Sequence, residues 1–131
     1  MSIPYQYSMY ETSDKRVTVK EVKGVVSAID REILFEYKVY DMYGNALSNL
    51  SKFSIDVDQI KSTEFKKGFP FTGGKLIFEA SQWAFFEPLP GSEQGKIVLK
   101  IKRRDRDAAI RFSTKLNLYQ SQKRLDDMND R

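Results

Sequence analysis

Between Lys96 and Phe112 the apolar residues change their spacing. Ile97, Leu99 and Ile101 recur at every second position with Lys96, Lys100 and Lys102 outside the stripe, which is the period of a strand that buries one face. Ala109, Phe112, Leu116 and Tyr119 then recur at intervals of three, four and three, the period of a helix with a single apolar stripe. Asp105 is expected as the helix N-cap, with Asp107 in the first turn where the macrodipole favours negative charge. A chain whose last strand hands over to one closing helix must build its sheet upstream.

The two-residue period does return upstream. Val17 and Val19 alternate in residues 16–26, which end beyond Gly24, a position that marks a bulge or sharp bend in a strand. Residues 32–41 place Ile33, Phe35, Tyr37 and Val39 on one face. The Gly44-Asn45 pair then supplies a tight reversal. Phe53, Ile55 and Val57 form the next strand, residues 60–66 a shorter polar one, and GFPFTGG (68–74) interrupts regular structure. Residues 75–80 and an aromatic segment, 82–86, complete six strands before 96–102 makes the seventh. The expected organisation is an N-terminal arm (1–14), one domain (15–120) and a polar tail or helix extension (121–131).

Composition narrows the chemistry. The chain has no cysteine and no histidine, so thiolate metal sites, cysteine nucleophiles and histidine-based catalysis are excluded. Asp56 and Asp58 share a strand face, but nothing beside them supplies the six or more oxygens that calcium requires. Gly73-Gly74-Lys75 lacks the length and ending of a phosphate loop. No catalytic residue, cofactor or metal is expected, and no small-molecule substrate. The first residues, MSIPYQYSMYETSDKR, do not have the form of a signal peptide, and no apolar run approaches the roughly 20 residues of a membrane helix. A soluble, cytoplasmic protein is expected.

Seven short strands followed by one amphipathic helix resembles the element order of pleckstrin-homology-like (PH-like) domains. The segments SIDVDQIKSTEFKKG, GGKLIFEA and PLPGSEQGKIVLKIKRRDRDAAIRF are similar to the second half of PH-like domains in some bacterial proteins of unassigned role, and the likeness spans roughly residues 16–120. It implies a mainly-β fold (α+β by strict count): a partly open antiparallel barrel of about seven strands closed by the C-terminal helix. Phosphoinositide-binding members gather several basic residues at the loop between the first two strands. Here that region reads SAIDREI, with Arg31 between Asp30 and Glu32, so inositol-lipid recognition by that route is not expected.

Charge is segregated along the chain. Residues 96–124 carry ten basic against two acidic side chains, a local +8, which leaves −4 for the remainder of a chain of net charge +4. Lys100, Lys102, Arg103, Arg104 and Arg106 are therefore the candidate anion-binding residues, able to neutralise phosphates of nucleic acid or anionic lipid. The plainer assignment is a solvated outer face, with some arginines paired to Asp56, Asp58 or Glu64. Trp83, Phe85 and Phe86 are the candidate interaction surface. Trp83 and one of the two phenylalanines are expected to pack against the C-terminal helix, leaving the other exposed. The leading expectation is a non-catalytic binding module for protein–protein contact or self-association; the alternative is peripheral attachment to anionic membrane or nucleic acid through the basic junction.

Overall fold

The two edges of the sheet are consecutive in the chain. The computed structural model, which describes residues 2–69 and 72–129, contains β1 (Ser2–Ser13), β2 (Arg16–Ile29), β3 (Glu32–Tyr40), β4 (Ser51–Asp56), β5 (Ile60–Lys67), β6 (Gly74–Ala80), β7 (Lys96–Ile101) and α1 (Arg106–Asn129). The strands lie in the order β4-β3-β2-β1-β7-β6-β5, all antiparallel. Edge strands β4 and β5 are joined by a 3-10 turn, Val57–Gln59. Asp56 and Ile60 are thus at most about 15 Å apart, four steps of ~3.8 Å, and the sheet must curl until its two edges share a corner.

Asp56 shapes that corner. Its carboxylate accepts from the Asp58 amide at 2.8 Å while its own amide donates to Gln59 Oε1 at 3.1 Å, a capping box. The result is the expected mainly-β arrangement, a partly open, barrel-like antiparallel sheet of seven strands with one C-terminal helix, consistent with the PH-like element order. Two seams remain weak: β4 and β5 do not pair, and β1 meets β7 only at Gln6↔Lys100.

Inward-facing residues of every strand meet around Phe35, which is fully buried. Its ring lies 5.5–6.3 Å from those of Tyr5, Phe53, Phe78 and Phe86, separations at which edge-to-face contact adds to area burial. Helix α1 lays Ala109, Phe112 and Leu116 on the core, with Phe112 edge-on to Phe78 at 6.2 Å. Burying Phe112 alone contributes about 1.5–3 kcal/mol. Polar stitches fix the helix along β5: Gln120 Nε2 donates to the Ile60 carbonyl at 2.8 Å and Asn117 Nδ2 to that of Thr63 at 3.2 Å. Farther along, Asp58 accepts from both Arg31 and Lys123, joining the β2–β3 turn, the 3-10 corner and the helix.

Several expectations are corrected. Residues 2–13, expected as an arm, form β1, paired with β2 along its whole length. Ile3, Tyr5 and Tyr7 are buried between exposed or half-buried neighbours, so the period of two was present in the arm. Residues 82–86 are not a strand; Trp83–Phe86 is a 3-10 turn. The total of seven strands therefore stands with a different membership. Asp105 is not an N-cap: it sits in a 3-10 turn, Arg103–Asp105, leading into α1, and its buried Oδ2 has no hydrogen-bond partner. The apolar helix stripe ends at Leu116, since Tyr119 is exposed, yet α1 continues to Asn129, so the tail is a helix extension. Met1, Pro70, Phe71, Asp130 and Arg131 lie outside the described residues; they include two positions of the GFPFTGG segment and the last two of the tail.

Candidate anion-binding site

The alternation of β7 turns Lys96, Lys100 and Lys102 outward, because Ile97, Leu99 and Ile101 are buried. Strand register then decides what stands beside Lys100. Opposite it on β6 is Lys75, and opposite Lys75 on β5 is Lys66. On the other side Lys100 meets Gln6 of β1, which meets Lys23 of β2, which meets Lys38 of β3. One transverse row thus reads Lys66, Lys75, Lys100, Gln6, Lys23, Lys38 across six strands. At ~4.8 Å between strands it is about 24 Å long. Since the sheet is curled, the row is a belt around the barrel wall.

Among the described residues none of these five lysines lies within 4.0 Å of a carboxylate, whereas Lys20, Arg31, Lys61, Arg104 and Lys123 each do. Lys23 instead stands 5.4 Å from the centre of the Tyr40 ring. Like charges directly opposite on neighbouring strands are destabilising, and here Lys66–Lys75, Lys75–Lys100 and Lys23–Lys38 are all such pairs. The belt costs the fold stability.

Positive charge is densest where β1 meets β7. A cavity of about 190 Å³ at that seam is lined by Gln6, Lys23, Gly24, Lys100, Lys102 and Arg104, with no acidic side chain in its wall. Gly24 lets the neighbouring backbone come close: a Cβ there would stand 1.9 Å from the Glu36 carbonyl oxygen. Of the five basic residues picked out in the sequence, Lys100, Lys102 and Arg104 converge on this cavity. Arg106 turns away to donate to the Thr72 carbonyl at 3.3 Å, and Arg103 is exposed in the 3-10 turn off the cavity wall. Two of the three acids proposed as their partners are engaged elsewhere, Asp58 by Arg31 and Lys123 and Asp56 by the corner turn.

Beyond Gln6, β1 leaves β7 and continues with β2 as a two-stranded ribbon. Its tip, Asp14-Lys15, has φ of 48° and 66°, the pair of positive values that a tight hairpin of this hand demands. The divergence opens a groove of about 670 Å³ whose lining includes Tyr10, Trp83, Lys75, Lys96 and Lys100, along with Glu79 and Glu93. Tyr10 is 72% and Trp83 66% exposed. On the far side of Lys75 a shallower concavity of about 500 Å³ brings Lys66, Lys67 and Lys75 beside Phe69, 84% exposed.

The aromatic triplet divides. Phe86 is fully buried against Phe35 and Phe53, not against the helix, and Phe85 is half-buried at the core margin. Trp83, expected inside, is the exposed member, while Phe86 and Leu89 go inward. The sequence reading missed Lys23, Lys38, Lys66, Lys75, Gln6 and Tyr10. Among the described residues no group of three or more carboxylates is gathered as for a metal ion, and no helix is long and apolar enough to cross a membrane. Comparisons of the chain with family models, with curated proteins and with solved structures found no match.

Proposed function

We propose that this chain is a non-catalytic binding module of the bacterial cytoplasm, PH-like in architecture, whose working surface is the lysine belt and whose partner is a polyanion. The register that aligns five lysines without a carboxylate partner is the observation that carries the reading. Elsewhere on the outer face opposite charges do stand across from one another, Glu36 from Lys52 and Glu79 from Lys96, the arrangement that stabilises a sheet; the row departs from it. A row of one sign is useful when something negative covers it: each phosphate neutralised releases a condensed counterion, and the repulsion between lysines is relieved at the same time.

The test is binding of inorganic polyphosphate at low salt by the wild-type protein and by Lys75→Glu/Lys100→Glu. Both lysines are exposed, so the variant keeps its core. Retention by the wild type and its loss in the variant is the expected result; equal retention by both, or none by either, removes the proposal.

A second reading, protein contact by strand addition or self-association, is favoured by the single-pair seam between β1 and β7, which leaves both strands with unpaired length. Mass by light scattering that rises with concentration supports the self-association form of it, and a constant monomer mass rejects that form.

A further inference from the structure

We infer that the polyanion is a single-stranded nucleic acid, with its phosphates along the lysine belt and its bases on the exposed rings of Tyr10 and Trp83. This rests on the polyanion reading and adds the class of partner to it.

The shape of the belt separates the polyanions. Six strands of a curled sheet carry the row, so its members point outward around a curved wall. A flat anionic bilayer would meet only part of such a belt. Duplex DNA, with a persistence length of about 150 base pairs, does not bend around a wall whose basic arc is about 24 Å long. A single strand follows that curve at little cost in bending.

The aromatic residues supply the second, independent argument. Large exposed rings incur hydration cost unless something covers them, and these are not scattered. Tyr10 and Trp83 share one groove with Lys75, Lys96 and Lys100, all on the outer side of the barrel. A basic track flanked by stacking platforms is how sequence-tolerant single-strand binding is built, since every base offers a π-face. Glu79 and Glu93 line the same groove. They repel phosphates and leave the groove to bases, which keeps the backbone on the lysine side. The ribbon that carries Tyr10 is not itself a phosphate track: Glu11 and Asp14 offset its cations, and Glu11 pairs with Lys20 at 2.8 Å.

Trp83 is the chain's only tryptophan, so its fluorescence reports on the groove directly. The experiment titrates the full chain with an oligothymidylate of about a dozen nucleotides, an abasic oligomer of equal length, inorganic polyphosphate, a duplex and phosphatidylserine vesicles. The expected result is quenching of Trp83 by oligothymidylate, with affinity about 5-fold or more above that of the abasic strand and the duplex. Trp83→Ala and Tyr10→Ala, both at exposed positions and both followed by retention of the labelled polyanion rather than by tryptophan emission, should each weaken oligothymidylate binding about 5-fold or more, the lower end of one stacked base, and leave polyphosphate binding unchanged. Equal affinity for thymidylate and abasic strand with unaffected ring variants overturns the inference and leaves the polyanion reading standing, as does preference for duplex or vesicles. Absence of binding to every polyanion at low salt overturns both.

Discussion

Replacing Lys100 by glutamate is expected to stabilise the fold while it abolishes anion binding. Lys100 faces Lys75 directly across the β6–β7 ladder and has Lys102 two residues along, outside the same strand face. It also shares the seam cavity with Lys23 and Arg104, and its own side chain is exposed, so nothing in the core is disturbed. A directly opposed like-charge pair costs about 0.2–1 kcal/mol, and an opposite pair gains about as much. Lys102, ~6.8 Å away along the strand, adds a contribution of about half a kcal/mol. The net gain is about 1–2 kcal/mol at low ionic strength, a rise of roughly 3–8 °C in Tm for a domain of this size. Thermal unfolding followed by far-UV circular dichroism measures it, at low salt and again at 1 M, where the screening length falls to about 3 Å and most of the gain should vanish. A variant that melts at or below the wild type at low salt, or a gain indifferent to salt, would refute the view that the belt is held at the expense of stability.

Other consequences concern the frame that holds the belt. Phe35→Ala removes a fully buried ring that touches four others and should cost about 3–5 kcal/mol by urea denaturation, much of what a domain of this size possesses. Gly24→Ala drives a Cβ against the Glu36 carbonyl; a loss of about 2–3 kcal/mol is expected, and a neutral result would mean that the β2–β3 approach is loose. Hydrogen bonding from Lys123, with its charge and that of Arg31, holds the Asp58 carboxyl below the usual carboxylate range against the opposing effect of desolvation. A depressed folded pKa gives stability that is present above the unfolded value of about 3.9 and is lost as pH falls through the folded one. The wild type should therefore be more stable than Asp58→Asn near neutrality, and the difference between their melting curves should shrink as pH falls below the unfolded value.

The strands that bury one face were legible wherever the two faces differ sharply in chemistry, as in Ile33, Phe35 and Tyr37 against Glu32, Glu36 and Lys38. β1 escaped because its inward residues include two tyrosines, whose hydroxyls suit a surface as well, and because Pro4 argues against a strand with partners on both sides. Proline is tolerated there since β7 reaches β1 only at Gln6, which leaves position 4 with one neighbour. The segment 82–86 misled for the opposite reason: its aromatic run has strand propensity, but the backbone closes a 3-10 turn in which Phe86 is the buried residue.

The site was half legible. A run from Lys100 to Arg106 is visible in one dimension, and three of its five members do line a cavity. The belt is not visible there, because Lys23, Lys38, Lys66 and Lys75 are each ordinary outer-face residues in their own strands. Only the register set by the connecting turns and by the single β1–β7 contact puts them in one row. Charge counts miss a pattern that exists across strands.

The most direct test of the lysine belt is the salt dependence of its binding to a single strand. With the five lysines engaged, log K should fall against log salt with a slope of about −3.5 or steeper, a loss of roughly 130-fold between 50 and 200 mM. A slope shallower than about −1, a loss of less than about 4-fold over that interval, would contradict the account, because the aligned lysines would then be taking no part in holding the anion.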